Sequence, residues 1–290
     1  MNSEVWLKFK HRPDDIVITT YAKSGTTLVH QLVGQLISGG DPAFNAVGAC
    51  PWLEFRPAMD GRQEKLEAQT HRRFIKSHLP TTSLPYDPNV RYLYICRDGR
   101  DVAWSLYNHY AQLREEAWER LADAGPGAGP GLPRFDPSVD PRQFFLNWLR
   151  GDGAPWWPYF SHVRSWWQAR HLPNVMLVHF ANLRSDLAGE GRRIAAFLGI
   201  QVPEERWPAV LEHCSMDWMR AHPEVSVPGA GKSYKDGPAG FIFQGTNGRW
   251  RDALSAEEVA EYEAAAVREL GPECAAWMAT GQPLDPKGLP

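Results

Sequence analysis

The stretch DIVITTYAKSGTTLVHQLVGQLI, residues 15–37, constrains the fold more than any other. A short apolar run gives way to a Ser/Gly/Thr turn and then to an amphipathic helical pattern. Such a strand, turn and helix aims successive backbone N–H groups at one point, where an anion is stabilised. The ATP-binding version of this loop reads G-x-x-x-x-G-K-[ST], with the lysine on the outer phosphates and the hydroxyl on magnesium. Here Thr20 stands at the first glycine, Gly25 at the second, Thr26 at the lysine and Thr27 at the final hydroxyl. The parts that hold a phosphate by backbone and hydroxyls remain; the cation that neutralises a triphosphate is missing. Lys23 brings a charge from the other side of the turn, suited to a bridging oxygen on which charge builds as a group departs.

Short, nearly continuous apolar runs recur at 15–20, 72–78, 91–96 and 174–180. They have the character of strands buried on both faces of a parallel sheet. Helical patterns lie between and after them, at 26–38, about 99–118, 142–150, 160–170, 186–198 and 204–213. Alternation of this kind predicts an α/β fold: one P-loop-like layered domain over residues 1–290, with a central parallel sheet flanked by helices. The Gly/Pro-rich stretch 123–137 interrupts it as an irregular insertion of the kind that forms lids. Ser255 followed three residues later by Glu258 fits a capping box and predicts a last helix near 255–270.

A net charge of −3 gives no support to a nucleic-acid-binding surface, so an anionic ligand has to be met by a local cluster of cations. Residues 1–15 lack the apolar centre of a signal peptide, and no run approaches the roughly 18 apolar residues of a membrane helix. The expectation is a cytoplasmic enzyme without a membrane segment. Cys50, Cys96, Cys214 and Cys274 form no C-x-x-C pair, which suggests neither a disulfide framework nor a metal site. Thirteen tryptophans, clustered at 155–160 and 165–168, supply rigid faces for a core or an apolar pocket.

The motifs also carry a resemblance. TYAKSGTTL, residues 20–28, resembles the 5′-phosphosulfate loop of cytosolic-type sulfotransferases, T-Y-P-K-S-G-T-T-W. FIKSHLP at 74–80 is similar to that family's K-T-H-L-P segment, and YICRDGRDVAWSLYNHY at 94–110 to its R-[ND]-x-x-D-x-x-x-S element. With YFSHVRSWW and FQGTNGRW echoing later segments, the likeness runs over residues 14–252. It implies 3′-phosphoadenosine 5′-phosphosulfate (PAPS) as donor, its desulfated product PAP, an acceptor hydroxyl or amine, and no metal. The phosphate cradle would be Lys23, Ser24, Gly25, Thr26, Thr27 and Leu28. His78, whose imidazole accepts a proton near neutrality, is the candidate base. Lys76, two residues earlier and so on the same side of the strand end, would lie beside the transferring sulfonate. Arg97 and Ser105 would take the 3′-phosphate.

The chain departs from the family pattern around the nucleotide. Leu28 and Met216 stand where aromatic residues flank the adenine, and Phe180 replaces a tyrosine. The R-K-G segment that completes the 3′-phosphate site reads Phe243, Gln244, Gly245. Arg249, with Arg251 second and Lys232 and Lys235 upstream, is expected to supply the missing charge. The acceptor is expected to be a largely apolar small molecule or lipid, with Trp52, Phe55, Tyr107, Tyr110, Phe144, Phe145 and Trp148 as candidate walls. The dimerisation motif K-x-x-x-T-V-x-x-x-E is absent, and the residues leave a homo-oligomer open. A P-loop kinase using ATP and a non-catalytic nucleotide-binding domain are the competing readings.

Overall fold

The computed structural model describes residues 2–55, 61–122 and 132–282. Four apolar segments form strands: β1 (Ile16–Thr20), β2 (Phe74–Ser77), β3 (Arg91–Cys96) and β4 (Val175–His179). All pair in parallel, in the order β2-β1-β3-β4. Period-two alternation divides their side chains between two cores. Val17, Ile75, Tyr92 and Tyr94 face one of them; Ile16, Ile18, Phe74 and Leu93 face the other. Both faces are apolar because both are covered, which explains the unbroken hydrophobicity of the runs.

Helix α1 (Thr26–Ser38) covers the second face through Val29, Leu32, Val33 and Leu36. Helix α2 (Gly99–Gln112) covers the first through Val102, Trp104 and Leu106, together with α3 (Pro141–Arg150) and α4 (Tyr159–Gln168). The helices that follow β1 and β3 thus leave on opposite sides of adjacent strands. A crevice opens at the carboxyl ends of two strands that diverge in this way, and ligands of open α/β sheets bind there. At the other end of the sheet, Arg73 clamps the buried carboxylate of Asp15 through Nε at 2.7 Å and Nη2 at 2.5 Å.

Local chemistry sets the helix starts. Asp98 accepts from the Arg100 amide, Asp140 from that of Gln143 and Asp186 from that of Gly189, each as an N-cap. The Ser255–Glu258 capping box is formed in both directions. The last helical segment, Ala256–Thr280, nevertheless runs past its expected end; Gly271 breaks it at φ 76° before Pro272 restarts the turn. The pattern at 99–118 is also two helices. Leu113 leaves helical geometry to bridge Tyr234, and the Lys235 amide takes the Gln112 carbonyl at 2.8 Å. Residues 123–131 of the expected insertion lie outside the described residues, and 132–137 are irregular with a turn.

Candidate active site

The turn after β1 carries Lys23 at φ 68° and Gly25 at φ 105°, both left-handed. Gly25 is required twice over, since a Cβ there would collide with the ring of Phe180. It precedes α1 without any side-chain cap, leaving the first N–H groups of the helix unpaired within it. Ser24 Oγ is buried with no hydrogen-bond partner among the described residues. An uncapped helix start beside an orphaned hydroxyl fits an anion such as a nucleotide 5′-phosphate.

The β1–β2 register, Thr19↔Ser77, sets Thr20 beside His78. His78 Nδ1 lies 2.7 Å from the Thr20 carbonyl and 3.0 Å from its hydroxyl. A carbonyl only accepts, so Nδ1 carries the proton and the neutral ring keeps its lone pair on Nε2. Burial, reinforced by the Lys76 ammonium, holds the imidazole well below its ordinary pKa and therefore neutral. Beneath it Glu54, fully buried, accepts from the His78 amide at 2.7 Å, Ser77 Oγ at 3.0 Å, Trp52 Nε1 at 2.9 Å and Trp6 Nε1 at 3.0 Å. The Lys76 ammonium sits 4.4 Å from the Trp52 ring, and burial lowers its pKa to about 8.

Across the crevice, Arg97 at the end of β3 donates Nη1 to the Lys23 carbonyl at 3.2 Å, Nη2 to the Thr246 carbonyl at 2.9 Å and Nε to Asn247 Oδ1 at 3.0 Å. One guanidinium thereby ties the anion loop to the segment Gly245–Gly248. Asp101 accepts from the Gly248 amide at 2.7 Å, and burial raises its pKa to about 6. The Arg249 guanidinium lies 5.2 Å from the Phe243 ring centroid. Gly245, at φ 61°, packs so closely on Met216 that a Cβ would strike its sulfur.

These groups share one cavity of about 470 Å³. Of the residues assigned to the site from the sequence, Lys23, Gly25, Thr26, Thr27, Leu28, Lys76, His78, Arg97, Ser105, Phe180, Met216, Gln244, Gly245 and Arg249 line it. Ser24 lies just beneath the loop, buried. Arg251, Lys232 and Lys235 are not on the wall: Arg251 stacks on Trp250, and Lys235 Nζ donates to the Ala111 carbonyl at 2.6 Å. Of the expected apolar walls, Trp52, Phe55 and Tyr110 are present. Phe145 and Trp148 are core, while Tyr107 and Phe144 pack against Phe135. Among the described residues, the cations Lys23, Lys76, Arg97, Arg120, Arg184 and Arg249 line the cavity against one carboxylate, Asp101, so an overall acidic chain presents a basic site.

Sequence reasoning missed His109, Glu54 and Asp101, while Trp156 comes from the 155–160 cluster read as core or apolar pocket. A signal existed for two of them: Asp101, Ser105 and His109 are spaced i, i+4, i+8 and so share the cavity face of α2. Lys23 Nζ donates to His109 Nδ1 at 3.1 Å. Burial, with Arg97 and Lys76 nearby, lowers the Lys23 pKa to about 7. The site therefore combines an anion cradle, a neutral imidazole with an open lone pair, and two amines of reduced basicity. Such a set supports transfer of an anionic group to a nucleophile that loses a proton.

A family profile described as "Sulfotransferase domain" matches residues 13–271. The chain belongs to this sulfotransferase family. It is 29% identical over 300 residues to a glycolipid sulfotransferase of Mycobacterium tuberculosis strain H37Rv, covering 96% of this chain and 91% of the relative. It is 28% identical over 266 residues to rat sulfotransferase 1A1, covering 87% and 83%. Mouse sulfotransferase SULT7A1 complexed with PAP shares the fold at TM-score 0.71 and 19% identity, covering 95% of this chain and 90% of that one. Retinol dehydratase in complex with androsterone and PAP does so at TM-score 0.67 and 23% identity, covering 93% and 84%. The α/β sulfotransferase fold expected from the motifs is thus the one observed. Among the described residues no helix is long and apolar enough to cross a membrane.

Proposed function

We propose that this sulfotransferase moves a sulfuryl group from PAPS to a hydroxyl or amine of a largely apolar small-molecule or lipid acceptor, by in-line displacement with His78 as base. One observation carries the reading: the Thr20 carbonyl fixes the His78 tautomer so that Nε2 opens, unprotonated, into the cavity that the anion loop shares. PAPS supplies the activated sulfuryl group and leaves as PAP. His78 Nε2 takes the acceptor's proton. Lys23 faces the departing phosphate, and Lys76, held on Trp52, faces the sulfonate. Backbone amides at Gly25–Leu28 and the orphaned Ser24 hydroxyl hold the 5′-phosphate, with Phe180, Leu28 and Met216 about the base. Arg97, Ser105 and Arg249 take the 3′-phosphate, beside Gln244 and Gly245. Trp52, Phe55, Tyr110, Trp156, Leu113 and Phe241 supply an apolar wall for the acceptor.

The glycolipid sulfotransferase relative supports a lipid acceptor. The whole chain acts as one domain and needs no metal; its four buried free thiols fit a cytoplasmic compartment. The kinase reading is not favoured, because Thr26 stands where an ATP loop carries its lysine. Incubation with sulfur-labelled PAPS and a panel of phenols, alcohols and extracted lipids tests the proposal. A labelled, chloroform-soluble product is expected from at least one apolar acceptor. Labelling confined to polyanionic glycans would overturn the acceptor class, and turnover with ATP alone would overturn the reaction.

A further inference from the structure

His109 lies four residues beyond Ser105, where the R-[ND]-x-x-D-x-x-x-S pattern ends, and none of the motifs assigns it a role, yet it occupies the reaction cavity. It lies on the face of α2 that also presents Asp101 and Ser105. Its Nδ1 is 3.1 Å from Lys23 Nζ and 3.5 Å from the Tyr234 hydroxyl. An ammonium only donates, so Nδ1 accepts and Nε2 carries the ring proton. Among the described residues this is the one side-chain hydrogen bond of Lys23, whose ammonium also lies 5.2 Å from the Phe241 ring.

The other cations around Lys23 are unfavourable to it. Arg97, at the end of β3, is bonded to the Lys23 carbonyl, and Lys76, from β2, raises the local positive potential. Asp101, the carboxylate on the wall, is engaged by the Gly248 amide. Arg249 adds charge on that side, and His78 is neutral. A half-buried ammonium among cations needs an acceptor to stay charged. We propose that His109 is a positioning residue for Lys23: its Nδ1 holds the ammonium in the cavity and keeps it charged before the donor binds. The inference concerns the free enzyme; its catalytic meaning rests on the sulfuryl-transfer reading.

Two readouts test it, one of them independent of turnover. Lys23 acylation by a small anhydride, followed against pH by mass spectrometry, reports the ammonium's titration directly. A midpoint near 7 is expected for the intact enzyme. In His109→Phe and His109→Leu it should fall by about one pH unit, a tenfold change in the equilibrium. His109→Asn, whose side-chain oxygen can take the place of Nδ1, should restore it. The basic limb of kcat/KM for PAPS, which reports the free enzyme, should move in parallel, whereas a merely structural residue would lower the values without moving the limb. Equal midpoints in all four proteins would overturn the pairing. A shifted midpoint in an enzyme that never turns over PAPS would leave the pairing standing and sink the proposed reaction instead.

Discussion

The Thr20 carbonyl and His78 Nδ1 are 2.7 Å apart, joining the last residue of one strand to the first residue beyond its neighbour. Backbone geometry, set by the parallel register, therefore decides which imidazole nitrogen is basic. Loss of a general base costs about 10²- to 10⁴-fold in rate. His78→Ala should lower kcat by that order while leaving PAP affinity within about twofold. A His78→Ala enzyme with the kcat of the intact protein in steady-state assays would remove His78 from the mechanism.

The pH profile follows from two directions of shift. As the proposed base, His78 must be neutral, and burial lowers its pKa, so the acid limb should lie below pH 6.5. Lys23 must be charged to meet a phosphate, and its pKa near 7 in the free enzyme places the basic limb of kcat/KM there. A bound phosphate favours the ammonium, so the basic limb of kcat should lie at higher pH. Profiles of the two parameters that superimpose on their basic side would contradict this assignment of Lys23.

Glu54 invites an isosteric test, because the four partners of its carboxylate among the described residues are all donors. In Glu54→Gln the amide NH₂ must face an N–H or O–H and leave at least one buried group unpaired, at a cost of about 1–3 kcal/mol. Urea unfolding should show that loss. Because Glu54 orients both the His78 amide and the Trp52 indole, kcat and the acceptor KM should both worsen, with the KM for PAPS unchanged. An unaltered acceptor KM would confine Glu54 to folding.

Turnover should survive chelation. Thr26 replaces the lysine of an ATP loop, and among the described residues no cluster of three His, Cys, Asp or Glu is arranged to hold a cation. Activity abolished by EDTA and restored by magnesium would shift the balance toward the kinase reading.

What was legible in the sequence was whatever short-range pattern dictates. Residues 15–20 and 91–96 read as strands because both faces are buried, and Gly25 as a turn because no side chain fits beside Phe180. The Arg97–Ser105 spacing fixed the cavity face of α2, and extending it by four residues reaches His109. Glu54 was not legible. Its role depends on Trp6 and Ser77, 48 and 23 residues away, which only the tertiary fold brings to its carboxylate. Among the aromatics, Phe145 and Trp148 differ from Tyr110 not in composition but in which helix face meets Tyr159 and Tyr262. The break at Leu113 likewise comes from a partner 121 residues on, since Tyr234 takes its backbone.

The 3′ end of the nucleotide poses the sharpest question of specificity. Phe243 and Gln244 stand where the resemblance expects an arginine and a lysine, while Arg97 already donates to Thr246, Asn247 and the Lys23 carbonyl. Those bonds hold the Gly245–Gly248 segment against the anion loop, so a phosphate arriving there meets a guanidinium fixed at its root. Arg249 lies on the same wall, its guanidinium over Phe243, and so brings a charge to the position of the expected arginine. Arg97→Ala and Arg249→Ala should each weaken PAPS binding by about 1.5–3 kcal/mol, the worth of a hydrogen bond to a charged group. Adenosine 5′-phosphosulfate lacks the 3′-phosphate and should lose far less. Calorimetry on both ligands decides the matter. If Arg249→Ala weakens the two equally, Arg249 does not read the 3′ position; if only PAPS suffers, Arg249 has taken over the role of the missing pair.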